Sequence, residues 1–254
     1  MSIVRFDENL GIPSEINTNI NKIKWNDIAF PEYEGVRTFD GMKKLYENSN
    51  GIADNTQMYF TAGRISKKES LDNFKKNGVT YEYTVIPVKD VNGECNKTHG
   101  HIHGVNPNTG RSRLEAFEIL HGTGCFELFK ETKKNEFECL IILLEKGDRI
   151  IVPSDYFHLS INFSNDQPFI FSDLIKDDVD TVYSYVKDKN GAPYRVFHND
   201  SGEIYYKLNT NWSDCQIKLR IVSCKELNWN DPFNKTLYES FIEDNRKIKM
   251  ILEG

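Results

Sequence analysis

The strongest constraint on the fold is the punctuation between residues 79 and 176. "VTYEYTVIPV", "LEAFEIL", "CFELF", "FECLIILL", "RIIVPSDYFHLSINFS" and "QPFIFSDLI" follow one another as short segments rich in β-branched and aromatic residues. Turn formers separate them, among them Val91-Asn92-Gly93, Gly122-Thr123-Gly124 and Val152-Pro153. Short strands at near-regular intervals with such turns fit a β-sandwich or barrel. No long helical pattern alternates with the strands, which argues against a parallel α/β sheet.

The flanks differ in texture. Residues 1–60 read as a flanking segment with a short helix in "RTFDGMKKLYEN", where Thr38 or Asp40 serves as N-cap and Met42, Leu45 and Tyr46 fall at helical spacing. "ISKKESLDNFKKNG" reads as a surface loop or short helix. Residues 61–190 carry the barrel. Residues 191–254 form an extension in which "GEIYYKLN" and "CQIKLRIVSC" are strands and residues 234–254 a terminal helix, with Leu237, Phe241 and Ile242 on one side.

Composition removes several function classes. The net charge of −6 over 254 residues argues against a nucleic-acid partner, which requires a basic face. The longest apolar run, Cys139 to Leu144, is far short of the roughly 20 residues of a membrane-spanning helix. The first residues, "MSIVRFDENLG", show no secretory signal pattern. Five scattered cysteines without a C-x-x-C pair indicate reduced thiols and a cytoplasmic location.

The chemistry concentrates in "THGHIHG", which holds three of the six histidines. Residues two apart on a strand share a face about 6.6 to 7 Å apart, so two adjacent imidazoles can converge on one metal. The outer pair, about 13 Å apart, cannot. The chelating pair is therefore either His99 with His101 or His101 with His103. Glu115 and His158 both stand at strand starts, where the mouth of a barrel would lie. A mixed nitrogen and oxygen set from these residues suits Fe²⁺, Mn²⁺, Ni²⁺ or Zn²⁺. His121 and His198 read as turn residues, and Glu118 and Glu127 as outward or rim charges.

"THGHIHG…LEAFEILHGTGCFELF" and "GDRIIVPSDYFHLSIN" resemble the two cupin motifs, and in detail the cupin-type glucose-6-phosphate isomerases of archaea and some bacteria. The matching positions are Thr98, Gly100, His101 and His103; then Glu115, Leu120, Gly122 and Gly124; then Val152, Pro153, His158 and Asn162. The resemblance implies an all-β-dominated double-stranded β-helix with helical additions at both ends. It places one divalent transition metal per chain on His101, His103, Glu115 and His158, and leaves His99 outside the set. It also implies a sugar-phosphate substrate held at Thr84, Thr98 and Gly100, catalysis by Glu115 and Tyr183, and a homodimer. Two departures are visible: Phe117 stands where the family has a tyrosine, and a second tyrosine is replaced near Ile175.

The expected activity is glucose 6-phosphate/fructose 6-phosphate isomerisation through an enediolate, with proton transfer between C1 and C2. The alternatives are a cupin isomerase or epimerase acting on a related sugar or nucleotide sugar in polysaccharide synthesis, and a non-catalytic sugar-binding cupin.

Overall fold

A computed structural model describes residues 3–7, 11–20, 22–178, 180–227 and 231–253. Its centre is two facing antiparallel sheets. The first contains β1 (Tyr33–Thr38), β2 (Gln57–Gly63), β3 (Val79–Ile86), β5 (Glu115–His121), β8 (Arg149–Val152) and β10 (Phe169–Lys176), in the order β8-β5-β10-β3-β2-β1. The second is built on β4 (Glu94–Lys97), β6 (Thr123–Lys133), β7 (Glu136–Glu145) and β9 (Phe157–Asn162), in the order β4-β9-β6-β7. β11 (Tyr194–His198) and β12 (Ile204–Leu208) extend it beyond β4, and β13 (Gln216–Ser223) pairs in parallel with β7. Sheet pairing thus crosses residues 60 and 190. No helix among the described residues is long and apolar enough to cross a membrane.

The period of two in "VTYEYTVI" explains how the first sheet works. Tyr81, Tyr83 and Val85 are fully buried on its outer face, among Val4, Ile12 and Ile16 from the N-terminal hairpin and Phe241, Ile248 and Leu252 from the C-terminal helices. Thr80, Glu82 and Thr84 take the opposite face and line a cavity inside the barrel. A strand presents alternate residues to opposite faces, so a polar interior wall forces the apolar residues outward. Burying each such aromatic contributes roughly 1.5–3 kcal/mol, and the chain's two ends supply the cover. The second core cluster, including Phe126, Phe129, Ile141 and Ile161, closes the barrel at the other end.

Gly122 shows how tightly the β5–β6 turn is made. It holds φ +78°, and a Cβ there would lie 2.2 Å from the Pro168 carbonyl oxygen. A left-handed conformation and a close backbone approach both require glycine.

Several local expectations change. "RTFDGMKKLYEN" forms the end of β1 and two 3₁₀ turns, Phe39–Gly41 and Lys43–Leu45, instead of an α-helix. "ISKKESLDNFKKNG" takes the short-helix form of its expected loop or helix, α1 (Leu71–Asn77), closed by Gly78 in the left-handed conformation, and a further short helix, α2, spans Ser184–Asp188. The terminal helix is broken into α3 (Leu237–Glu243) and α4 (Asn245–Glu253), because Asp244 leaves the helical region at φ −142°, ψ 70°; Gly254 lies outside the described residues. Cys95, Cys125 and Cys139 are buried, and none of the five cysteines is in a disulfide.

Glu118 and Glu127 are not rim charges. Glu118 is buried, accepts the Leu237 N–H at 2.8 Å, and so holds the first turn of α3 against the barrel. Glu127 is fully buried and accepts from the Tyr194 N–H at 2.8 Å and from the Cys139 thiol at 3.4 Å.

Burial pushes the Glu127 carboxyl up from 4.5 to about 7. Between those values the folded state keeps a proton that the unfolded chain has released, so the group's contribution to stability falls as pH rises through that window. Glu127→Gln cannot ionise. Its stability relative to the wild type is expected to improve by roughly 3 kcal/mol between pH 4 and pH 8, measured by urea denaturation. A difference independent of pH would contradict the buried, proton-holding state.

Candidate metal centre and active site

The first barrel motif meets the second through backbone. His101 N–H donates to the His158 carbonyl (3.0 Å), and His158 N–H donates to the His101 carbonyl (2.9 Å). His103 lies two residues on, in the short strand Ile102–His103, which pairs with Thr181–Val182. Glu115 opens β5 opposite Val152 of β8. Three separate segments, the stretch 101–103, β5 and β9, therefore deliver His101, His103, Glu115 and His158, whose candidate donor atoms lie within 4.8 Å of one another.

The group is compact and largely buried. His103, Glu115 and His158 are buried and His101 half-buried. Glu115 Oε2 lies 2.6 Å from His103 Nε2 and 3.0 Å from His158 Nε2. Burial alone would raise the Glu115 carboxyl, but the His103 imidazole hydrogen-bonded to it and the adjacent His158 outweigh burial and hold the group well below the usual carboxylate range. Burial, then the neighbouring His158 and His103, pushes His101 well below the ordinary imidazole value.

The chemistry of this donor set fits a divalent transition metal. His158 Nε2 is buried, makes no hydrogen bond, and faces the other donors. Three imidazoles and one carboxylate brought together in this way form the mixed nitrogen and oxygen set such ions accept.

The donors stand at one end of a cavity of about 780 Å³. Thr84, Thr98 and Tyr183 line it. Thr84 lies beside Thr61 on β2 and Phe171 on β10. Thr98 Oγ1 accepts the Ser160 N–H at 2.9 Å. The Tyr183 ring centroid is 5.5 Å from that of His101 and 4.9 Å from that of His99. Gly100 sits behind this wall with φ +81°, and a Cβ there would press on Leu159 and Val186 at 3.4 Å. That left-handed residue interrupts the strand alternation. His99 consequently points away from the four donors, its Nδ1 within 3.2 Å of the Gly100 carbonyl.

Phe117 and Ile175 line the cavity where the resemblance led us to note missing tyrosines. Three further lining residues went unread in the sequence. Arg37 places its guanidinium 5.8 Å from the Tyr183 ring centroid and stands opposite Tyr59 across β1 and β2. Glu82 and Asp173 face each other across β3 and β10. The alternation that placed Thr84 inward also places Glu82 inward, a signal available from "VTYEYTVI" alone.

A two-sheet barrel whose paired motifs deliver three histidines and a glutamate to its interior is a cupin. The family model described as glucose-6-phosphate isomerase (GPI) matches residues 36–213. The chain belongs to that family. No curated protein matches it. Among solved structures it is similar to vicilin from Capsicum annuum (11% identity, TM-score 0.37, covering 50% of this chain and 31% of that one). It is also similar to oxalate decarboxylase from Bacillus subtilis (16%, 0.35, 49% and 27%) and to the plu4264 protein from Photorhabdus luminescens (20%, 0.26, 38% and 61%). The chain spans less than two thirds of the length of each of these three.

His158→Ala removes one of the four donors without touching the backbone bridge. It is expected to lower bound Mn²⁺ or Zn²⁺ from about one equivalent per chain to a small fraction, measured by elemental analysis after dialysis. Full metal retention would show that the donor set is wrong.

Proposed function

We propose that the protein is a metal-dependent aldose–ketose isomerase acting on a sugar phosphate, with glucose 6-phosphate and fructose 6-phosphate as the substrate pair. The observation that carries this reading is the convergence of His101, His103, Glu115 and His158 in a cavity that Thr84, Thr98 and Arg37 also line. Its volume falls in the roughly 300–1,000 Å³ range of small-molecule sites. Membership of the glucose-6-phosphate isomerase family supports the reaction class.

A divalent ion held by the four donors supplies Lewis-acid stabilisation of negative charge on the reacting oxygens. The protein's own groups do the rest. The Arg37 guanidinium and the Thr84 and Thr98 hydroxyls hold the phosphate by charge-assisted hydrogen bonds. That fixes the sugar chain across the cavity and brings C1 and C2 to the donor end. Glu115, ionised at neutral pH, accepts the proton from one of these carbons and returns it to the other. Tyr183, its ring packed under Arg37 and beside His101, passes the hydroxyl proton between the two sugar oxygens. Phe117 and Ile175 keep the reacting carbons away from water.

The decisive assay is turnover of fructose 6-phosphate by Mn²⁺- or Fe²⁺-loaded protein, abolished by a chelator and restored by the metal. A silent panel of sugar phosphates from protein that binds metal tightly would overturn this reading. Thr84→Val keeps the shape of the side chain and removes its hydroxyl. It is expected to raise KM about tenfold and leave kcat nearly unchanged, as for a contact made equally in ground and transition states.

A further inference from the structure

The cavity carries a feature that phosphate binding and proton transfer leave unused. Glu82 and Asp173 occupy directly opposed positions on β3 and β10, both lining the cavity. Directly opposed residues have Cβ atoms about 4.5–5.5 Å apart, and like charges there destabilise a sheet. Asp173 is buried and reaches Glu115 on the next strand. Tyr33 folds across Gly63, where any Cβ would collide with its ring, and donates from its hydroxyl to Glu82 at 2.7 Å. Among the described residues, no lysine or arginine forms an ion pair with either carboxyl group. Arg64, which also lines the cavity, is engaged by Glu32.

These side chains form a continuous polar line from Tyr33 at the rim, through Glu82 and Asp173, to Glu115 at the donor end. The phosphate-holding hydroxyls occupy other positions, with Thr84 opposite Thr61 and Arg37 opposite Tyr59. Thr84 and Glu82 stand two residues apart on one face of β3, so this wall offers a hydroxyl to an anion and, beside it, carboxyls to hydroxyl groups. We infer that Glu82 and Asp173 are specificity-determining residues that bind the hydroxyl groups of the sugar chain beyond the two reacting carbons.

A carboxylate accepts hydrogen bonds from hydroxyls in well-defined directions, and a buried carboxyl left without its partner costs more than the bond was worth. The pair then rejects a sugar that lacks the matching hydroxyl more strongly than any apolar contact can. The inference rests on the isomerase reading for the direction in which the sugar lies.

The test compares sorbitol 6-phosphate with its 4-deoxy and 3-deoxy counterparts, titrated calorimetrically into metal-loaded wild type, Glu82→Gln and Asp173→Asn. The wild type is expected to bind at least one deoxy compound about tenfold more weakly than the parent. In one of the two variants that ratio should shrink to about threefold or less. The melting temperatures of both variants should equal or exceed that of the wild type, because they relieve a like-charge pair; a purely structural role would lower them.

A wild type that binds none of the three compounds, or that holds all three equally, overturns the inference. So do variants that discriminate as the wild type does, and so does a second equivalent of Mn²⁺ bound by the wild type and lost in Asp173→Asn. Turnover of fructose 6-phosphate, scored separately, decides the isomerase reading, while the binding ratios decide the role of the pair.

Discussion

Two reciprocal hydrogen bonds between the main chains of His101 and His158 are what the rest of the site depends on. They join the loop that follows β4 to the strand that carries the second motif. A pairing shifted by one residue would turn one imidazole away from the cavity, since alternate residues on extended chain face opposite ways. Gly100 makes this pairing reachable, because its left-handed backbone re-aims the chain just before His101. With the bridge in place, the pairing of Glu115 opposite Val152 suffices to bring the carboxylate within reach of two imidazoles.

The same alternation governs the scaffold around the site. A barrel interior that must hold a polar ligand cannot also hold all the apolar residues of its strands. The first sheet therefore shows its threonines and acids to the cavity and its tyrosines to the outside. The N-terminal hairpin and helices α3 and α4 cover that outer face. Glu118 and Arg149 tie this cover to the barrel, Glu118 through the Leu237 N–H and Arg149 through the Phe233 and Lys235 carbonyls. The flanking segments are thus coupled to the polarity of the cavity wall.

Much of this was legible in the residues. Strand punctuation announced a β barrel, and spacing reduced the three histidines to an adjacent pair containing His101. The choice of partner was not legible from spacing, because the geometry of an ideal strand ends at Gly100. The similarity to a known motif supplied it. Glu118 and Glu127 were misread as outward charges because their partners, Leu237 and Tyr194, lie 119 and 67 positions away. The opposition of Glu82 and Asp173 was hidden for the same reason: register between β3 and β10 is a property of the folded sheet. The break at Asp244 is local: its carboxylate accepts the Lys247 N–H at 3.0 Å and caps α4, a capping signal that a reading by apolar periodicity alone passes over.

Strand β13 has a consequence of its own. It runs alongside β7, whose central residues, Cys139 to Leu144, are the most apolar stretch in the chain. The family match stops at residue 213, just before β13 begins at Gln216. An uncovered edge of that composition would offer unpaired amides and carbonyls to any neighbouring chain. β13 replaces it with an edge bearing exposed Lys218 and Arg220. Charged side chains on an edge strand oppose strand-to-strand addition of another chain, so β13 leaves this sheet with a less adhesive edge than β7 would present.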